Sequence, residues 1–166
     1  MSGRKLRGGL RMGVQYGAMG EHPQVEERRA LPYLILRTDG ASRGNPGHSA
    51  AGIVLESPDG TVLATGKLYL GVMTNNQAEY RALILGLKSV AHFHPAQVRV
   101  FMDSDLIVNQ MRGTYKVRHP DLEPLWREAC ALVKALPSVT FDHVPRAQNA
   151  LADKLANEAL NARTER

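Results

Sequence analysis

The chain has 166 residues, 43% of them hydrophobic, enough for one domain with a proper core. Its formal net charge of +5 and pI near 9.6 permit a polyanionic partner without proving one. No apolar run approaches the roughly 18 residues of a membrane span, no h-region marks a secretory signal, and a single cysteine, Cys130, excludes an intrachain disulfide and a cysteine-based zinc site, which suits a cytoplasmic protein.

Residues 1–32 carry six Lys/Arg against three Glu, with scattered glycines in RKLRGGLRMG and no sustained periodicity. They read as a poorly ordered basic extension, and residues 33–166 as the folded domain. From Tyr33 the pattern sharpens. YLILRT is a short apolar run that reads as a buried strand, with Asp39 on or just after it. GNPG is turn chemistry, SAAGIVLES a second strand, and SPDG a turn into a third, TVLATGKLYL. The short links favour antiparallel pairing. A helix follows over 75–92, with Thr74 as N-cap and Gln77 at N3 of a capping box. Ala78, Ala82, Leu85 and Ser89 line one of its faces, and Pro95 closes the unit.

VRVFM is a fourth strand ending at Asp103. A short helix over 105–111 follows, for which Asp105 is the expected cap. GTYKVRHPDL is a connector, and a longer amphipathic helix over 122–136 holds Cys130 and Trp126 as packing residues. VTFDHV is a fifth strand, and AQNALADKLANEALNA a final amphipathic helix, capped or braced by Asn149. The order β-β-β-α-β-α-α-β-α, with strand–helix–strand units that favour parallel pairing, predicts an α/β fold: a five-stranded mixed sheet flanked by helices. Tyr69 and Tyr80 read as core or edge residues.

Four acids stand in distinct short contexts: Asp39 in TDGASRGNPG, Glu79 in TNNQAEY, Asp103 in FMDSD and Asp153 in NALADKLANEA. Two sit at strand ends and two in the first turns of helices, so all four can lean toward one point. Taken singly, each is an ordinary turn, cap or dipole-complementing residue. Together they form a donor set for hard divalent cations such as Mg²⁺. Two such ions roughly 3.5–4 Å apart can clamp both reacting oxygens of a phosphodiester. Clustered carboxylates also raise one another's pKa values, so the set makes sense chiefly with metal. The 33–166 segment has fifteen Lys/Arg against thirteen Asp/Glu, so with four acids taken into a metal site the rest of its charge is +6.

From Tyr33 to Ala162 the order, spacing and flanking residues resemble the ribonuclease H type 1 family. The resemblance implies the RNase H-like fold and the metal ligands Asp39, Glu79, Asp103 and Asp153. It implies two Mg²⁺ ions with substrate, replaceable by Mn²⁺, and hydrolysis of the RNA strand of an RNA–DNA hybrid to 5′-phosphate and 3′-hydroxyl ends. It also implies hybrid contacts by Gly40, Ala41, Asn45, Thr74, Asn76 and Gln77. Amides match the donor and acceptor character of the 2′-hydroxyl that separates RNA from DNA, and Gly44 and Gly47 let the backbone approach closely. Asn45 is equally explained by its turn, and Thr74 by its cap. No protein nucleophile, obligate protein partner or membrane is implied, and a monomer is expected.

Two regions depart from many bacterial members. Their basic helical protrusion is absent, and only residues 113–122, with Lys116, Arg118 and His119, fill its place, as in the shorter branch found in archaea and some bacteria. The histidine loop before the last acid is altered as well. His143 stands ten residues before Asp153, but Pro145 stiffens the segment. Arg146, in the VPR context of the shorter branch, is the rival for the active-site role. It can neutralise phosphate charge but cannot carry a proton. Two other classes remain open: a non-catalytic module that binds hybrid or protein, and a relative acting on DNA, such as a junction resolvase or transposase core.

Overall fold

The computed structural model describes residues 15–16 and 32–164. Its strands are β1 (Gln15–Tyr16), β2 (Leu34–Gly44), β3 (Gly47–Glu56), β4 (Val62–Met73), β5 (Val98–Met102) and β6 (Val139–His143). Its helices are α1 (Asn75–Ala91), α2 (Asp105–Arg112), α3 (Glu123–Lys134) and α4 (Ala150–Thr164), and a 3-10 turn (Arg146–Asn149) leads into α4. Strands β2 to β6 form the expected five-stranded mixed sheet, in the order β4-β3-β2-β5-β6, with β1 added outside β4. The first three are antiparallel, while β5 and β6 run parallel to β2. Most of the expected basic extension lies outside the described residues; Gln15 and Tyr16 pair with Thr65 and Ala64.

Strand β2 is longer than its apolar run. It continues through Asp39 to Gly44 because β3 returns directly beside it, pairing Asp39 with Gly52 and Gly44 with Gly47. The hydrophobic run therefore marks only the buried half of the strand. Gly44 closes the hairpin at φ +101°, a conformation open to glycine.

Helix α1 begins where its signal puts it. Thr74 Oγ1 accepts from the Gln77 amide at 3.2 Å, and the Thr74 amide donates to Gln77 Oε1 at 2.9 Å, closing the capping box. Helix α2 is capped differently from the expectation: Ser104 Oγ accepts from the Ile107 amide at 3.3 Å, and Asp105 is the first helical residue, bonded to Asn109 Nδ2. Serine one position earlier has the extended backbone that a cap requires, so the acid falls in the first turn instead.

The main core lies between the sheet and α1, with α2 and α3 closing it; Leu36, Ile53, Leu55, Leu83, Leu87, Val100, Met102 and Ile107 are fully or almost fully buried. Tyr80 is wholly buried, with its hydroxyl donating to Gln110 Oε1 at 2.6 Å. Trp126 and Cys130 are only half buried; the indole packs against the core and donates to Gln110 O at 3.3 Å. Tyr69 is a partly buried edge residue beside a second cluster of Ala50, Ala159 and Leu160 under α4. At the β6 edge, Arg112 Nε donates to Phe141 O at 2.7 Å and its guanidinium pairs with Asp142 at 2.8 Å. Among the described residues, no helix is long and apolar enough to cross a membrane.

Two glycines set the distance between helices and sheet. A Cβ on Gly40 would lie 2.4 Å from Ala78 C in α1. One on Gly52 would lie 2.0 Å from Ala152 O and 2.9 Å from Ala156 N in α4. Gly52 is paired with Asp39, so both project to the α4 side, whereas Gly40, the next residue along β2, faces α1. Gly52→Ala must push α4 off the sheet, because the colliding atoms are backbone. A destabilisation of about 1–3 kcal/mol or more is expected, seen as a melting temperature lowered by roughly 2–4 °C for each kcal/mol. Unchanged thermal unfolding of that variant would show that α4 does not depend on this contact.

Candidate active site

Asp39 lies in the middle of β2 and is 5% exposed. The parallel register places Arg37 beside Phe101, so two residues further on Asp39 stands beside Asp103, just past the end of β5. Glu79 arrives from the first turns of α1 at the point where Gly40 admits that helix. One carboxylate oxygen from each of Asp39, Glu79 and Asp103 lies within 4.8 Å of the others. Asp153, in the first turn of α4, lines the same cleft and is near enough to Asp39 to help raise its pKa.

The start of α4 is held by two contacts that the sequence does not advertise. Arg37 Nη1 donates to Gln148 O at 3.0 Å, and Asn149 Nδ2 donates to Thr38 O at 2.8 Å, so the 3-10 turn is pinned to β2 beside Asp39. Asn149, fully buried, is the brace expected of it. Arg37 is also paired with Glu56 at 3.1 Å and lies over the Phe101 ring. Its signal is a lone charge inside an otherwise apolar strand. On α4, Asn157 donates to Asp153 O at 2.9 Å and to Asp153 Oδ1 at 3.2 Å; its only signal is a spacing of one helical turn from the acid.

A cleft of about 360 Å³ opens over the carboxylates, lined by Asp39, Glu79, Asp103 and Asp153 and by Gly40, Ala41, Ser42, Asn75, Asn76, Ser104, Arg146 and Asn157. Of the expected hybrid contacts, Gly40, Ala41 and Asn76 lie in its wall. Asn45 is next to it, accepting from the Asn75 amide at 3.1 Å and so tying the hairpin turn to the start of α1. Thr74 and Gln77 are engaged with each other in the cap. Gln77 thus gives its Oε1 to the backbone, which leaves its Nε2 for other partners.

The two rivals before the last acid occupy different places. Arg146 is exposed, lines the cleft, and sets Nη2 3.6 Å from Asp153 Oδ1. An exposed pair of this kind contributes little to stability. His143, the last residue of β6, is exposed, and its Nε2 lies 3.2 Å from the backbone carbonyl of Asp103. Lys116, Arg118 and His119 are exposed in the irregular connector between α2 and α3, with no protrusion among the described residues.

Burial, then the charges of Glu79 and Asp103, push the Asp39 carboxyl far above its ordinary range. Glu79 is raised too, first by burial and then by the charges of Asp103 and Asp153, with the Asp39 carboxyl and the Gly40 amide pulling it back in part. Glu79 Oε2 is buried with no hydrogen-bond partner. A converging set of hard oxygen donors, one of them orphaned, is what a divalent cation would satisfy. The residues present fit such an ion.

A sheet of three antiparallel and two parallel strands, with carboxylates gathered at its centre from two strands and two helices, defines a nuclease fold of the ribonuclease H class. A family model described as reverse transcriptase-like matches residues 37–159. The bifunctional protein Rv2228c of Mycobacterium tuberculosis is 45% identical over 130 residues, 78% of this chain and 36% of that protein. Ribonuclease HI of Halobacterium salinarum is 46% identical over 123 residues, 74% of this chain and 62% of that one. The chain thus spans about a third of the first relative's length and less than two thirds of the second's. Among solved structures, LC11-RNase H1 in complex with an RNA/DNA hybrid matches with a TM-score of 0.76 at 40% identity, over 79% of this chain and 99% of that one. This chain belongs to the ribonuclease H type 1 family.

Raised carboxyl pKa values carry a definite sign. Asp39 and Glu79 bind protons more tightly folded than unfolded, so their contribution to stability is full below the ordinary carboxylate range and is lost as pH rises through the folded values. In a chelator, stability against urea should therefore fall as pH is raised from about 5 through neutrality. Added Mg²⁺ should remove most of that fall, and Asp39→Asn should flatten it without metal. A chelated protein whose stability rises over the same interval would contradict the assignment.

Proposed function

We propose that this chain is a divalent-metal-dependent endoribonuclease that hydrolyses the RNA strand of RNA–DNA hybrids, leaving 5′-phosphate and 3′-hydroxyl ends. The observation that carries the reading is the convergence of Asp39, Glu79 and Asp103 around a buried, unpartnered carboxylate oxygen. The similarity to Halobacterium ribonuclease HI and to a hybrid-bound RNase H1 supports the substrate class. On this reading the chain acts as a monomer in the cytoplasm.

Asp39, Glu79, Asp103 and Asp153 would hold Mg²⁺, with Mn²⁺ as a substitute. Two such ions, once bound, would supply charge neutralisation at the scissile phosphate and a lowered pKa for the attacking water. The protein's share is positional. Arg37 and Asn149 fix the start of α4, and with it Asp153, against β2. The backbone of Gly40 and Ala41 and the amides of Asn45, Asn76 and Gln77 read the 2′-hydroxyl, for which amides offer both a donor and an acceptor. Thr74 acts through the cap that orients Asn76 and Gln77. Arg146, beside Asp153 in the cleft wall, stabilises charge on the cleaved phosphate.

The direct test is cleavage of a labelled hybrid with Mg²⁺ or Mn²⁺, with single-stranded RNA, double-stranded RNA and DNA duplex as controls. Asp103→Asn should keep the fold and hybrid binding and lower turnover by at least a hundredfold, on the order of the loss of one essential electrostatic group. Efficient cutting of the DNA duplex would favour the resolvase-like class instead, and wild-type turnover by the Asp103 variant would remove that residue from the site.

The two rivals separate kinetically. Arg146→Ala should lower kcat more than His143→Ala, with the shape of the pH–rate profile unchanged, because a guanidinium does not titrate there. Arg146→Lys should recover only part of the loss, since the planar fork is gone. A silent Arg146→Ala beside a severely slowed His143→Ala that loses a limb of the pH profile near neutrality would restore the histidine.

A further inference from the structure

Beyond the cleft, basic side chains gather where the β2–β3 hairpin meets the C-terminal end of α4. Arg43 and His48 are directly paired across the hairpin, so they project to the same face. Counting back in twos along β2, that face is the one from which Asp39 points. The Arg43 guanidinium donates to Asn161 Oδ1. His48 Nδ1 lies 2.6 Å from the Tyr69 hydroxyl, and the Arg163 guanidinium stands 5.3 Å from the centre of the Tyr69 ring. Lys67 and Glu158, 3.1 Å apart, close the flank. Arg43, His48, Asn161 and Arg163 are all exposed. Among the described residues Glu158 is the one acid in this group, against two arginines and a lysine.

We propose that this shelf is a second phosphate-binding site, which takes a backbone phosphate of the hybrid about two nucleotides from the cleaved bond. The proposal rests on the hybrid-cleavage reading. Two independent rulers give its distance from the carboxylates. Asp39 to Arg43 is four residues of extended strand, about 13 Å. Asp153 to Asn161 is eight residues of helix, about 12 Å. Phosphates one step apart on a duplex strand lie roughly 6–7 Å from one another, more than the axial rise per step, so either length corresponds to about two steps along a strand. Strand and helix therefore present the carboxylates at one end and the guanidinium groups at the other, with Asn157 between them on α4. A backbone lying on this face would be gripped at both points. Such a grip also answers the missing basic protrusion, since phosphate contacts supply affinity and register without reading sequence.

The test uses the full chain and synthetic hybrids. One hybrid is long on both sides of a single ribonucleotide cleavage window. Others are shortened to one base pair on one side or the other, and partner hybrids shorten only the RNA or only the DNA strand. The Arg43→Ala, Arg163→Ala double variant should raise KM and the anisotropy Kd on the long hybrid about three- to tenfold. Its log–log salt slope should fall by about 0.7–0.9 for each phosphate no longer neutralised, and kcat should stay within about twofold. On hybrids shortened on the shelf side, wild type and variant should coincide, and the strand whose shortening produces this identifies the one gripped. Equal Kd and equal salt slope for variant and wild type on the long hybrid would overturn the proposal, as would a deficit that persists on both shortened hybrids. Failure of the wild type to cut the long hybrid counts against the catalytic reading, while the Kd comparison still judges the shelf.

Discussion

The close approach of two helices to one point on the sheet is the constraint on which everything else here depends. Gly40 admits the first turns of α1 on one face, and Gly52 admits α4 on the other, one residue out of phase around Asp39. A side chain at either position would hold its helix off by the thickness of a methyl group. Glu79 and Asp153 would then no longer reach Asp39. Carboxylates so placed repel, and the burial of Asp39 and of Glu79 Oε2 removes the water that would screen them. The packing that makes the core compact therefore also forces the acids together, at a cost that a divalent ion would offset.

A similar double use of atoms occurs at the α1 terminus. The capping box commits the Thr74 hydroxyl and one atom of Gln77 to the helix, and Asn45 gives its carbonyl oxygen to the next amide. These bonds fix the hairpin turn against the helix end, so the amide groups bordering the cleft sit on a rigid frame rather than on mobile loops. Preorganisation of that kind lowers the ordering entropy that binding would otherwise cost.

The four acids are legible in the sequence because each stands beside a local signal: Asp39 at the end of an apolar run, Glu79 behind a capping box, Asp103 at the end of a second apolar run, Asp153 at the opening of a helix. The same local signals locate β3, β4, α1 and β5. What the sequence conceals is set by partners distant along the chain. Strand β2 outruns its apolar stretch because β3 continues the ladder, and Gly52 reads as an ordinary strand residue until α4 lies across it. Arg37 and Asn149 find each other's elements over a separation of 111 residues. The cap of α2 falls on Ser104 rather than Asp105, since either residue suits the role by composition and only the backbone angle decides. Which of His143 and Arg146 faces the cleft likewise depends on the turn after β6, where the chain leaves the strand and only the arginine reaches the cleft wall.

The contact between Arg112 and the β6 backbone carries a consequence for how the molecule behaves in a crowded solution. A parallel strand at the border of a sheet exposes a ladder of unused amides and carbonyls, which another chain can extend. Here a guanidinium from α2 claims the carbonyl of Phe141 and the neighbouring carboxylate of Asp142, placing a charge across the middle of that ladder. At the opposite border, β1 takes up backbone groups of β4 at Ala64 and Thr65. Both margins of the sheet are thus partly closed from within the chain, by a charge on one side and a strand on the other. Growth by strand addition is obstructed at each.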